Sequence, residues 1–261
     1  AVIIEGRVMG FILLLLAVGL FYLYMYLAKQ GRKISARTFA AVAAIPEAVG
    51  RAAEMGKPIY YSTGYAMETI SNPDQGPQTL AGISILGHVA ALCARSGVNI
   101  AYFTDIADSL PLVEETLRNA YLSEGKPEAF DPTMIEFQAG QSPYLTASLG
   151  YIQRERPASC ILMGGFYYES VVLGEAGNII GAMQIGGTAN THQMPFMIAT
   201  CDYALISEEL YAASAAISED QVVLGCLAGE DVLKLIILAI LGIGFLLSLG
   251  GGTFIAKILG M

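Results

Sequence analysis

In an open parallel sheet a ligand meets the chain at the carboxyl ends of the strands. In this sequence those ends read Ser62-Thr63-Gly64, Thr104-Asp105, Gly140-Gln141-Ser142, Gly164-Gly165, Gly186-Gly187-Thr188 and Asp202. The two Gly-Gly steps, in ILMGGF and MQIGGT, would let backbone N–H groups approach a ligand at a strand-to-helix turn, where a helix N-terminus favours an anion. The competing reading is that these glycines only permit tight turns or close packing. The residues expected to bind a small ligand are Ser62, Thr63, Gly64, Asp105, Gly164, Gly165, Gly186, Gly187, Thr188 and Asp202.

Catalysis would draw on Asp105, Asp108, Glu169, Asp202, Glu208 and His192, with Cys160 and Cys201 as nucleophiles. Cys160 sits among apolar strand residues and reads as core. Cys201 could pair with His192, but the intervening QMPFMIAT gives no ground for contact, and no G-x-S-x-G elbow is present. There is no G-x-x-x-x-G-K-[ST], and Gly174, Gly177 and Gly181 are spaced G-x-x-G-x-x-x-G instead of G-x-G-x-x-G. No lysine or arginine follows any of the strand ends, so a polyphosphate would have to rely on backbone dipoles. The cysteines Cys93, Cys160, Cys201 and Cys226 form no C-x-x-C pair, and His88 and His192 lie far apart, which predicts neither zinc nor a disulfide framework. His88, within ISILGHVAAL, reads as a packing residue. No cofactor and no assigned catalytic residue follow.

These residues would be positioned by strands alternating with helices, the pattern of an α/β fold with a Rossmann-like, mostly parallel doubly wound sheet. Strands are predicted at Pro58–Ser62, Val98–Thr104, Met134–Ala139, Ser159–Met163, Ala182–Ile185 and Phe196–Ile206. Helices are predicted over about Ala36–Met55, Thr79–Ser96 and Leu110–Ser123. Further ones open at Ser142-Pro143, as N-cap and N1 residues, near Tyr167, and at Ser207-Glu208-Glu209, where acids suit the helix dipole.

Two long uncharged runs flank this region, Val8–Leu27 and Leu235–Ala256. At 1.5 Å per residue each spans about 30 Å, the hydrocarbon thickness of a bilayer, and both read as transmembrane helices. A cleaved signal peptide is the weaker reading of the first run, which is long for an h-region and lacks an A-x-A-like site. Lys29, Arg32, Lys33 and Arg37 follow it without an acid among them, whereas the other flank offers Arg7 balanced by Glu5. That asymmetry predicts a two-pass protein of the cell membrane with both termini outside and the α/β domain cytoplasmic. The expected organisation is residues 1–28 as the first span, 29–56 as a basic flank and linker helix, 57–232 as the α/β domain and 233–261 as the second span. Gly244, Ser248 and Gly252 recur every four residues, a small-residue stripe suited to helix packing or to oligomer contact.

Composition agrees: 54% of the 261 residues are hydrophobic and only 14% charged, against about 25% charged in a typical soluble domain. The formal net charge of -9 leaves no counterion-release drive toward nucleic acid. The phrases GRAAEMGKPIYYSTG, GHVAALCARSGVNIAYFTD and CDYALISEELYAASAAIS, the last followed closely by an apolar run, resemble an uncharacterised prokaryotic family of membrane-anchored domains of unknown function. The resemblance implies the layout and assigns no catalytic residue. The expected function is non-enzymatic: a self-assembling scaffold or a subunit of a larger membrane complex, with the lipid bilayer and homo-oligomer or other membrane subunits as partners. The alternatives are a small-ligand sensor or carrier, and a hydrolase or transferase acting on a membrane-associated substrate.

Overall fold

The computed structural model of the chain describes residues 8–30, 39–65 and 69–249. In chain order the elements are α1 (Val8–Lys29), α2 (Ala40–Met55), β1 (Ile59–Gly64), α3 (Gly76–Ser96), β2 (Ile100–Thr104), α4 (Leu110–Ser123) and β3 (Ile135–Phe137). They continue with α5 (Gln141–Glu155), β4 (Ser159–Gly165), α6 (Glu169–Ile180), β5 (Met183–Thr188), α7 (Met194–Thr200), β6 (Tyr203–Ile206), α8 (Glu209–Ser218) and α9 (Gln221–Leu249). Contacts divide the chain into two units, Ala1–Ala36 with Glu219–Met261, and Arg37–Ser218.

The second unit is α/β. Its six strands pair in parallel throughout, in the order β3-β2-β1-β4-β5-β6. Every residue of β1, β4 and β5 is buried, as expected for central strands covered by helices on both faces, while three-residue β3 forms a partly exposed edge. One core packs α2, α3, α4 and α8 against Ile59, Tyr61, Ile161, Met163 and Ile185. The other packs α5, α6 and α7 against Tyr60, Phe103, Cys160 and Leu162. The chain starts two strand series outward from the middle, so the switch point lies between β1 and β4.

Two local expectations are corrected. The run Phe196–Ile206 is not one strand: α7 occupies its first half, with Pro195 in its first turn and Cys201 N donating to Met197 O at 2.9 Å, and β6 begins at Tyr203. A short apolar run carries no period that separates strand from helix, and the proline, pre-set for a helix start, decides it. Helix α5 opens at Gln141 behind Gly140, so Ser142 is inside its first turn and is not the N-cap.

Among the described residues two helices are long and apolar enough to cross a membrane, Gly10–Lys29 and Gly76–Ser96. The second is α3, whose apolar window is 61% buried inside the α/β unit, so its composition follows from its core position. The apolar run expected over Leu235–Ala256 lies on α9 as far as Leu249 and beyond that outside the described residues. Helix α9 is not one of the two candidate spans.

Candidate functional site

At the switch point the backbones of β1 and β4 touch. Ser62 pairs with Leu162 and Gly64 with Gly165, so β4 carries one extra residue there, a bulge. Gly64 has φ 79° and Gly164 φ 153°, and a Cβ on either would collide with a carbonyl of the facing strand, Gly165 O or Thr63 O. Only glycine fits both the conformation and the approach. The second pair, Gly186-Gly187, lies inside β5 and not at a turn: a Cβ on Gly186 would stand 2.6 Å from Cys201 Sγ, and one on Gly187 2.8 Å from Met163 Sδ. Both pairs admit the protein's own atoms.

The hydroxyls of the strand ends are committed in the same way. Ser62 Oγ donates to Phe103 O at 2.9 Å, accepts from Gly64 N at 3.1 Å and lies 2.5 Å from Tyr144 OH. A hydroxyl has one proton and two lone pairs. With the serine proton on Phe103 O, Tyr144 must be the donor, and its phenol, raised well above its ordinary value by burial, stays protonated to play that part. Thr63 Oγ1 pairs with Tyr102 OH at 2.7 Å, again fully buried. Asp105, just past β2, is 2% exposed.

A cluster of amides closes the ends of β4 and β5. Gln78 Oε1 accepts from Thr188 Oγ1 (3.2 Å) and Ala189 N (2.8 Å), and its amide nitrogen donates to Asn190 Oδ1 (2.9 Å). Gln75 exchanges two hydrogen bonds with Asn190, at 3.1 and 3.0 Å, and Asn190 Nδ2 also donates to Phe166 O at 2.7 Å. A Cβ on Gly165 would strike the Gln75 carbonyl oxygen. In sequence Gln75, Gln78 and Asn190 carry no site signal: SNPDQGPQ reads as a turn-rich loop, and the one hint is two glutamines three apart at a helix start. The N-terminus of α6 is filled as well. Its first residue, Glu169, is fully buried and accepts from Tyr167 N at 2.8 Å and from Gln141 Nε2.

A family model described as a domain of unknown function, DUF6754, matches residues 1–259. The chain belongs to that family. No curated protein and no solved structure matches it.

In this DUF6754 chain the remaining candidates are dispersed. Asp202 lies at the amino end of β6, where its carboxylate accepts from Gln184 N at 2.8 Å, so it is not among the residues at the carboxyl ends. Asp108 fastens the loop before α3, accepting from Thr69 Oγ1 at 2.6 Å and Ile70 N at 3.1 Å. Cys160 is buried and its thiol is pushed up to about 12 by burial; burial pushes Cys201 up to about 11. Cys201 Sγ has Thr200 Oγ1 at 3.9 Å and Met197 Sδ at 4.0 Å as neighbours, while the His192 ring packs at a 37° tilt against Tyr167 with centroids 5.6 Å apart. His88, half-buried on α3, is lowered by burial and then by Arg95. No three His, Cys, Asp or Glu among the described residues gather as metal ligands. A surface cavity of about 370 Å³ lies beside β2, β3 and α5, lined by Ala101, Phe103, Glu136, Ala147, Tyr151 and Arg154 among others.

The other unit of the DUF6754 chain pairs α1 with α9. The contact is made by Gly225 and Gly229, four apart in GCLAG: a Cβ on Gly225 would lie 2.9 Å from Tyr24 O and 3.1 Å from Ala28 Cβ, and one on Gly229 3.3 Å from Phe21. Of the expected stripe, Gly244 and Ser248 lie on α9 and Gly252 is outside the described residues. Away from the contact the pair exposes apolar side chains, including Leu14, Val18, Leu238 and Leu246.

Proposed function

We propose that this chain is a membrane-anchored, non-enzymatic α/β domain that works as an assembly subunit, either scaffolding copies of itself or joining a larger membrane complex. Helix α1 and the apolar run beginning on α9 are its two spans, with both termini outside and the α/β unit on the cytoplasmic side, the orientation that the basic residues after α1 favour. One observation carries the non-enzymatic reading. Where a doubly wound sheet would take a ligand, described polar side chains are engaged within the protein: Ser62 by Phe103 and Tyr144, and the Gln75–Gln78–Asn190 amides by one another. A buried, mutually bonded polar cluster rigidifies a fold.

The test is thermal unfolding of the detergent-solubilised chain against nucleotides, sugar phosphates and carboxylic acids. The reading predicts an unchanged melting temperature throughout. A rise that disappears in Gln78→Ala would move the chain to the ligand-sensor class. That second reading has one observation in its favour, the cavity beside Phe103 and Tyr151, whose 370 Å³ is within the size range of ligand pockets. A rise that persists in Gln78→Ala and disappears in Ala147→Trp would place the ligand there.

A further inference from the structure

Helices α1 and α9 run antiparallel, because Gly225 meets Tyr24 and Ala28 whereas Gly229 meets Phe21 and Leu20. Four residues forward on α9 are about four residues back on α1. At equal rise per residue, Glu230 then stands level with about Leu20 and Lys234 with about Leu16. The two apolar runs are therefore out of step. Glu230, Asp231 and Lys234, which precede the run at Leu235, lie beside the middle of Val8–Leu27. A hydrocarbon slab of about 30 Å enclosing all of Val8–Leu27 would hold these ionisable side chains near its midplane, where they are strongly disfavoured.

Other features locate the boundary. Phe21, Tyr22, Tyr24 and Tyr26 crowd one end of α1, with Tyr22 and Tyr26 70% and 53% exposed, and tyrosine favours headgroup level. Beyond them come Lys29 and, in the sequence, Arg32, Lys33 and Arg37, complementary in charge to anionic headgroups. On α9, Lys234 Nζ reaches Glu230 Oε1 at 3.0 Å, toward the same tyrosine-bearing end. That is the direction in which a lysine just inside the hydrocarbon extends its charge.

Resting on the membrane reading above, we infer that the hydrocarbon boundary crosses the pair at the level of Leu20 and Glu230. The Phe21–Lys29 end of α1 then lies among anionic lipid headgroups, with Tyr22 and Tyr26 as contacts, and the immersed part of α1, Val8–Leu20, is only about 20 Å long, so the bilayer thins locally to match it.

The chain contains no tryptophan, so a single introduced indole reports depth without background. The experiment reconstitutes full-length Tyr22→Trp and Leu14→Trp, both at exposed positions, in phosphatidylcholine–phosphatidylglycerol vesicles whose lipids are brominated either near the headgroup or deep in the acyl chain. The expected result is strongest quenching of Tyr22→Trp by shallow bromine and of Leu14→Trp by deep bromine. Strongest quenching of both by deep bromine overturns the boundary while leaving the anchor intact. Quenching of neither by either lipid overturns the membrane reading itself, and the boundary with it.

Discussion

The hydroxyls of Ser62 on β1 and Tyr144 on α5 lie 2.5 Å apart, deep in the second core of the α/β unit. Removing one leaves the other's lone pair or proton buried without its partner, a cost of about 1–3 kcal/mol. Ser62→Ala and Tyr144→Phe are each expected to destabilise the chain by that amount. The double variant should cost less than the sum, which a double-mutant cycle from denaturant unfolding measures.

Gly64 answers to a harder constraint. Gly64→Ala must place a methyl group on Gly165 O while holding φ at 79°. The expected cost is about 3 kcal/mol or more, because backbone strain adds to the collision. Gly150→Ala, on an exposed helix position with nothing within 4 Å, is expected to be neutral or slightly stabilising by comparison, and melting temperatures separate the two.

Burial raises the thiols of Cys93 and Cys160 to about 12, from the ordinary 9.0. The folded chain therefore keeps these protons where the unfolded chain has lost them. The stability they support is complete below about pH 9 and is lost as pH rises toward 12, at up to about 1.4 kcal/mol per pH unit for each group. Unfolding free energies across that window should fall less steeply in Cys160→Ala, the remaining slope coming from Cys93 and the buried tyrosines. At pH 8 an alkylating reagent is expected to spare Cys93 and Cys160 until the chain is unfolded.

The approach of α1 to α9 is close enough to be locked. Cysteines replacing Ala28 and Gly225, with Cys226→Ser to prevent exchange, would bring their Cβ atoms within the reach of a disulfide. Mild oxidation is expected to give an intrachain bridge, seen as faster non-reducing migration. A cysteine at Gly244 with the same partner is expected to give none.

The layered architecture could be read from the chain because each central strand is a buried apolar run and each covering helix an apolar stretch of helical length. The strand order could not, since β4 crosses back beside β1 through pairings that sequence neighbours do not announce. At the site, the sequence gives residue types without their partners. Ser62, Thr63 and Thr188 have the chemistry of ligand contacts, and only three-dimensional packing reveals that Tyr144, Tyr102 and Gln78 already occupy them. As one apolar run, Phe196–Ile206 reads as a single strand and sets Asp202 toward its carboxyl end, whereas the aspartate precedes the strand that forms. Gly225 and Gly229 carry no packing signal in sequence, because they lie ahead of the uncharged apolar run.

The assembly role is tested most directly by the mass of the intact chain in mild detergent, measured by light scattering with the detergent contribution subtracted. At micromolar concentration the account predicts one defined multimer, or a stable complex with co-purifying membrane subunits. A homogeneous monomer that neither associates with itself nor retains another chain would contradict it.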